Sequence, residues 1–219
     1  MILVDQTDVR RQWEVRSGEY SPAYYAYYGP NETSEELHGI LEQYVDHDAH
    51  ILELGCSSGR HLSHLFEHGF ENLSGIDVNE DAFDVMEETY PDLATHGSFY
   101  HDAIEDVVTT FDDGQFDVVY SVETLQHLHP DLEWVFAELS RITDDLLVTV
   151  ENEGVGDCEN EPEDAGTDRR STDPEVNYIN DDFPLYYRNW KQIFTGLGFV
   201  EVDVRSGERD TVRTFRIGE

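Results

Sequence analysis

The order of apolar runs and breakers predicts an α/β protein, built on a mostly parallel sheet with helices on both faces. Three observations carry that reading. From residue 51 to residue 150, strand-length apolar runs alternate with segments of helical periodicity. The first run, Ile51-Leu52-Glu53-Leu54, leads straight into Gly55-Cys56-Ser57-Ser58-Gly59, a glycine-bounded turn with a helical pattern behind it. The last two runs, 200–204 and 212–217, alternate apolar and polar residues around Gly207 and read as a closing antiparallel pair.

The elements follow in order. Residues 9–28 read as a helical leader, with Tyr20, Tyr24, Tyr25, Tyr27 and Tyr28 crowded before the Gly29-Pro30 breaker. A helix over 34–44 puts Leu37, Ile40, Leu41 and Tyr44 on one face. Strand 51–54 is followed by a helix over 59–68 that Gly69 stops. Strand 73–78 carries Asp77 near its end, and Asn79 suits the N-cap of a helix closed by Pro91. A short strand, 98–101, precedes Asp102, and strand 116–122 follows the Asp112-Asp113-Gly114 turn. A helix over 131–142 and a strand over 146–150 complete the alternation. The acidic stretch 151–182 carries no obvious element, and helix returns over 184–197. The expected organisation is a helical lid or leader at 1–46 and one compact domain at 47–219, with an acidic loop at about 153–182.

Charge is the compositional outlier. The chain of 219 residues has 49 acids against 13 Lys and Arg, a formal net charge of -36, and Lys191 is its one lysine. In dilute salt such self-repulsion opposes the compact state. At 1 M salt the Debye length is about 3 Å and the repulsion is screened. The acids are spread along every element rather than gathered in an interaction tail, so the composition resembles that of proteins from extreme halophiles. There is no basic start or apolar core of a signal peptide, and no run near the ~20 apolar residues of a membrane span. The expected location is the cytoplasm. Cys56 and Cys158 stand far apart without ligand-like neighbours, which fits a reducing interior and gives no zinc or disulfide framework.

An acid at the carboxyl end of the second strand, here Asp77, commonly holds the hydroxyls of a ribose, so a nucleoside-containing cofactor is expected. A dinucleotide needs a second glycine where Ser57 stands, and Glu53 would sit unfavourably beside a pyrophosphate. Beside an ammonium and a sulfonium the same carboxylate is favourable. The charge logic therefore prefers S-adenosylmethionine to NAD.

These residues resemble class I S-adenosylmethionine-dependent methyltransferases over roughly 51–150. The motifs are Glu53-Leu54-Gly55-Cys56-Ser57-Ser58-Gly59, then Gly75-Ile76-Asp77, Asp102-Ala103, and Phe116-Asp117-Val118-Val119-Tyr120-Ser121-Val122. The resemblance implies a Rossmann-like, seven-stranded sheet with a C-terminal antiparallel hairpin. It implies that the turn with Gly55, Cys56, Ser57 and Gly59 wraps the methionine moiety, next to Glu53. Asp77 would meet the ribose, Asp102 the adenine amino group, and Ser121 and Val122 the region of the methyl group, with Val78 and Ala103 as further cofactor contacts. The family usually has glycine where Ser57 stands. The chain is also similar to a less characterised, haloarchaeal-type subgroup through Gly59-Arg60-His61-Leu62, Glu123-Thr124-Leu125-Gln126-His127-Leu128-His129-Pro130 and Arg188-Asn189-Trp190-Lys191.

Methyl transfer is an in-line attack that relies chiefly on alignment, with a base where the nucleophile must lose a proton. His127 and Glu151 are the candidate bases, each with a structural alternative in packing. Tyr24 and Tyr28, spaced i and i+4, are the candidate lid contacts, and Arg60, Glu123, His129 and Arg188 the further substrate contacts. The expected acceptor is a small molecule such as a sugar or another metabolite hydroxyl or carboxyl. A nucleic acid is disfavoured, because Arg10, Arg11 and Arg16 form the only N-terminal basic cluster. A protein acceptor, a non-catalytic cofactor-binding protein and, more distantly, a dehydrogenase are the alternatives.

Overall fold

The computed structural model describes residues 5–154, 175–179 and 183–218. Three helices come first: α1 (Gln6–Glu14), α2 (Pro22–Tyr28) and α3 (Glu32–Tyr44). The expected single leader is thus two helices. Ser21 breaks it, its hydroxyl accepting from the Tyr24 N–H while Pro22 occupies the first helical turn. Asn31 and Ser34 cap α3 reciprocally.

The alternating part runs β1 (Ile51–Leu54), α4 (Arg60–Glu67), β2 (Leu73–Asp77), α5 (Ala82–Thr89), α6 (Pro91–His96), β3 (Ser98–His101), α7 (Ile104–Val107), β4 (Phe116–Val122), α8 (Trp134–Ile142) and β5 (Thr143–Glu151). Pro91 does more than close α5, since it starts α6 from the first helical turn. Asn79 lies two residues ahead of the α5 cap position, Asp81, and accepts that residue's N–H. Beyond the acidic stretch come β6 (Glu175–Ile179), β7 (Phe183–Tyr187), α9 (Trp190–Gly196), β8 (Phe199–Ser206) and β9 (Thr211–Ile217).

Two expectations are corrected here. Residues 175–179, expected to be irregular, pair antiparallel with β7 as a separate two-stranded sheet. Residues 183–187, taken partly as helix, are that partner strand. The helix begins only at Trp190 because the Asn189 side chain caps it through the Gln192 N–H. Most of the expected acidic loop lies outside the described residues.

The main sheet has seven strands in the order β3-β2-β1-β4-β5-β9-β8. The first five pair parallel, and β9 and β8 close the edge antiparallel. Strand alternation sends Leu52, Leu54, Val119 and Leu147 to one face, against α8 and α9. Ile51, Val118, Tyr120 and Val148 go to the other, against α3, α4 and α5. Both faces are therefore apolar, as a mostly parallel sheet requires. Glu53 falls on the α3/α4 side by the same alternation, a carboxyl inside an apolar layer.

Candidate active site

The chain runs outward from β1 to β2 and β3, then returns to place β4 on the other side of β1. At such a switch point the loops after the strands part and leave a crevice at the carboxyl edge. A cavity of about 170 Å³ lies there. Its floor comes from Glu53, residues 55–57, Asp77, Val78, Ala103 and Val122. Arg10, Trp13, Tyr20 and Tyr25 of the N-terminal helices form its cover.

Backbone strain collects around this cavity. Among the described residues, three non-glycines have φ in the left-handed region: Tyr20 (64°), Ser57 (49°) and Glu123 (49°). All three line the cavity. Each such residue costs about 1–2 kcal/mol, and strain of this kind persists mainly where it shapes a binding surface. Gly55 (φ 68°) is also required, because a Cβ there would collide with the Thr124 side chain.

Asp77 is locked in place by the turn. Its Oδ2 accepts the Ser57 N–H at 2.7 Å and its Oδ1 the Asn79 N–H at 2.8 Å. Burial pushes its carboxyl upward, and these two bonds oppose the shift by favouring the ionised form. Glu53 is more extreme. It is 1% exposed, and the Tyr120 hydroxyl, directly opposite on β4, donates to its Oε2 at 3.0 Å. Burial holds its carboxyl well above the ordinary carboxylate range.

Arg60, at the start of α4, is oriented by a chain of hydrogen bonds. Its Nε donates to His61 Nε2 at 3.2 Å, which leaves the His61 proton on Nδ1, 2.8 Å from Ser34 Oγ in the α3 cap. Burial first, and then the Arg60 charge, hold His61 neutral. The Arg60 guanidinium lies 4.5 Å over the Tyr25 ring.

The β4 end is organised around a short 3-10 turn, Leu125–His127. Its free N–H groups are taken up from below by Glu151. Oε1 accepts from Ser121 Oγ (2.5 Å), Thr124 N (3.2 Å) and Leu125 N (3.0 Å), and Oε2 from Gln126 N (3.1 Å). Burial pushes the Glu151 carboxyl up to about 7, against these four donated bonds. On the other side the Arg188 guanidinium donates to the Leu125 and Leu128 carbonyls at 3.3 and 2.7 Å. A buried carboxylate and a buried guanidinium thus grip opposite ends of the turn's peptide groups.

That grip presents His127 to the cavity. Its Nδ1 is 2.9 Å from the Pro184 carbonyl, which can only accept, so the proton sits on Nδ1 and Nε2 keeps its lone pair. Burial lowers its pKa to about 4. The imidazole packs against the Trp13 ring at 4.8 Å.

The fold brings most of the sequence candidates together. Glu53, Gly55, Cys56, Ser57, Arg60, Asp77, Val78, Ala103, Val122, Glu123, His127 and His129 all line the cavity. Gly59 instead backs onto Met86 and Leu93. Asp102 is exposed; it accepts the Ala103 N–H and pairs with Arg10 at 3.3 Å. Ser121, Glu151 and Arg188 lie beneath the wall. The Tyr24 and Tyr28 rings pack at a tilt, 4.9 Å apart, outside the cavity, while Tyr20 and Tyr25 line it. Sequence reading missed Arg10, Trp13, Ile104 and Glu105, also at the wall. The one available signal was the i, i+4 pair Val9 and Trp13, an apolar stripe on a short polar helix.

Residues 51–145 match the family described as methyltransferase domain. The eEF1A lysine and N-terminal methyltransferase of Xenopus laevis is 29% identical over 98 residues, which is 45% of this chain and 14% of that protein. This chain therefore spans a small part of that relative's length. Magnesium protoporphyrin IX methyltransferase from Synechocystis PCC 6803, solved with bound SAM, has a similar structure at TM-score 0.67 and 14% identity, over 100% of both chains. The 1,6-didemethyltoxoflavin-N1-methyltransferase of Burkholderia thailandensis, solved with S-adenosylhomocysteine, matches at 0.61 and 16%, over 85% of this chain and 76% of that one. The [4+2]-cyclase SpnF matches at 0.62 and 11%, over 84% and 81%. At these identities the likeness is one of fold. Residues 51–145 thus match the methyltransferase-domain family, and the strand order with the turn after β1 gives the chain a Rossmann-like, seven-stranded methyltransferase fold.

Proposed function

We propose that the protein transfers a methyl group from S-adenosylmethionine to a small acceptor through a hydroxyl, carboxyl or amino group. One observation carries the proposal: a strained, partly covered cavity at the sheet's switch point, walled by carboxylates and aromatic rings. The chemistry of that wall fits the cofactor. Glu53 and Asp77 suit its cationic groups and ribose, and Trp13 and Tyr25 suit a sulfonium face. Trp13 Nε1 is buried with no hydrogen-bond partner among the described residues, a donor held ready for a ligand acceptor. Val78 and Ala103 would flank the nucleoside and Val122 the reacting end. Asp102, engaged by Arg10, would act by fixing the Ala103 backbone. Gly59 would serve the turn by packing α4.

The cofactor would supply the methyl electrophile; the chain supplies alignment and a hydrogen-bond acceptor for the nucleophile. His127 Nε2 is the group placed to accept a hydrogen bond from the acceptor's nucleophile. With a pKa near 4 it is neutral at physiological pH and orients the nucleophile more than it deprotonates it. Glu151, Ser121 and Arg188 act as positioning residues through the 3-10 turn. Arg60, Glu123 and His129 line the side where the acceptor enters, and the packed Tyr24 and Tyr28 rings stiffen α2 behind Tyr25.

The cover over the cavity supports a small acceptor. Two of the similar folds belong to proteins whose names give small acceptors, 1,6-didemethyltoxoflavin and magnesium protoporphyrin IX. A lysine or N-terminal amine of a protein is the second reading, favoured by the match to the eEF1A methyltransferase. The acidic, lysine-poor composition and a cytoplasmic, high-salt setting belong to the same proposal. No helix among the described residues is long and apolar enough to cross a membrane.

Calorimetric titration of S-adenosylmethionine and of NAD in about 2–3 M KCl, where screening is strong, tests the cofactor. Saturable binding of the first alone is expected. Asp77→Ala should weaken it about 10–100-fold, the worth of a charged hydrogen-bonding group. Unchanged affinity in a folded Asp77→Ala variant would remove Asp77 from the site.

A further inference from the structure

Away from the cavity, α3 and α4 pack side by side, and their seam carries an unusual set of side chains. His38 comes from α3; His64 and His68, one turn apart, come from α4. One ring nitrogen of each lies within 4.8 Å of the other two. The His38 and His64 rings both sit 4.3 Å from that of His68.

Three details distinguish this cluster from ordinary ring packing. The nitrogen Nε2 of His64, a residue only 5% exposed, is buried and has no hydrogen-bond partner among the described residues. Such an orphan is costly unless something fills the gap. His68 Nδ1 donates to the His64 carbonyl at 2.7 Å, which fixes the tautomer and frees Nε2 as a lone-pair donor, the arrangement that orients histidine ligands. Carboxylates stand beside the rings: Glu35 Oε2 is 3.6 Å from His64 Nε2, and Glu42 Oε1 is 3.3 Å from His38 Nε2.

We propose that His38, His64 and His68 form a binding site for a zinc-class divalent transition metal, with Glu35 or water as the fourth ligand. Imidazole donors select Zn²⁺, Co²⁺, Ni²⁺ and Cu²⁺ over Mg²⁺ and Ca²⁺, which take oxygen ligands. Tetrahedral coordination at about 2.0–2.1 Å needs ligand nitrogens about 3.4 Å apart. The ring nitrogens therefore have to close by up to about 1.4 Å, a movement within reach of side-chain rotation for the less buried His38 and His68. The ion would staple α3 to α4. The same seam holds the Ser34–His61 hydrogen bond that orients Arg60, so the staple is structural and would brace that link from α3 and α4 to the cavity wall.

The test uses the untagged full chain in about 2–3 M KCl, which suppresses loose binding to surface carboxylates. Titrated with Co²⁺, the protein should show saturable uptake of a single equivalent with visible absorption of tetrahedral cobalt. Zn²⁺ should displace it, excess Mg²⁺ should not, and Zn²⁺ should raise the melting temperature. The His38→Gln and His68→Gln variants keep the buried His64, so they should melt like the metal-free wild type while losing affinity by about tenfold or more. Absence of stoichiometric uptake, or equal affinity in the His38→Gln/His68→Gln double variant, would overturn the site.

Discussion

At the residue scale, His127 and Glu151 have opposite titration behaviour. His127 is buried neutral, with its pKa lowered to about 4 from an ordinary 6.5. Between those values the unfolded chain holds the extra proton, so this residue's contribution rises with pH across that window and is lost as pH falls from 6.5 toward 4. Glu151 is raised to about 7 from 4.5. There the folded chain holds the extra proton, so its contribution falls as pH rises from 4.5 to 7. In the wild type the two slopes offset each other between pH 4.5 and 6.5. Removing the imidazole with His127→Gln should unmask the Glu151 slope. Denaturant unfolding across pH 4–6.5 should then show the stability gap between wild type and variant widening by about 1.4 kcal/mol per pH unit, roughly 3 kcal/mol in all. A gap that stays constant with pH would mean that the imidazole is not buried neutral.

Gly55 allows a sharper structural test. Gly55→Ala meets two obstacles, a left-handed φ of 68° and the Thr124 side chain. It should destabilise the fold by about 1–3 kcal/mol. In Gly55→Ala/Thr124→Ala the closest contacts, with Thr124 Oγ1 and Cγ2, are gone, while the Cβ contact at 3.0 Å and the backbone penalty stay, so part of the loss should return. A double-mutant cycle with no coupling between the two sites would contradict the contact.

At the scale of elements, α1 is the part that completes the cavity. Several contacts dock it. The Asn79 side-chain amide donates to the Trp13 and Arg16 carbonyls at 2.8 and 3.1 Å, the Glu80 N–H to the Glu14 carbonyl at 3.3 Å, and Arg10 pairs with Asp106 at 2.7 Å. Trp13 is the inward anchor, packed on both His127 and Phe183 at 4.8 Å. Trp13→Phe keeps a ring and deletes the unpartnered N–H, and should weaken S-adenosylmethionine binding by up to about tenfold, the worth of a single hydrogen bond. Trp13→Ala should weaken it further by opening the cover. Titration calorimetry separates the two; equal affinities in wild type and both variants would detach α1 from the binding site. The β6–β7 pair belongs to the same apparatus, because Pro184 in β7 supplies the carbonyl that fixes the His127 tautomer.

At the scale of the whole molecule, charge dominates. A formal -36 spread over the surface leaves few ways to lower the repulsion within the chain. Among the described residues most arginines already bridge acids, as Arg10 does with Glu14, Asp102, Glu105 and Asp106, and Arg213 with Glu153 and Glu201. The remaining carboxylates need screening by salt. Lowering KCl from about 3 M to 0.1 M lengthens the Debye length from a few ångströms to about 10 Å, and the melting temperature should fall steadily along that series. A melting temperature independent of KCl would exclude salt screening as a condition of folding.

The sequence by itself determined the sheet. Hydrophobic period and glycine placement marked each of its seven strands to within a few residues, and Glu53, Gly55 and Asp77 at the ends of β1 and β2 lie at the cavity floor, whereas Gly59 and Asp102 fall outside it. These signals are local: a strand announces itself by alternation, and a tight turn by the residue that tolerates it. The cover, the tautomers and the histidine seam were decided only by tertiary structure. Tyr24 and Tyr28 share a helical face with the right spacing, yet Tyr25 reaches the cavity, because the docking angle of α2 selects the inward side. Glu151 lies on the reactive edge in sequence order, yet its carboxylate turns beneath the wall, where three backbone N–H groups and a hydroxyl outcompete solvent for it. Arg188 likewise serves carbonyls 60 and 63 residues away. Side-chain hydrogen bonds of that range depend on how elements pack, and packing geometry is not encoded in the periodicity of any one segment.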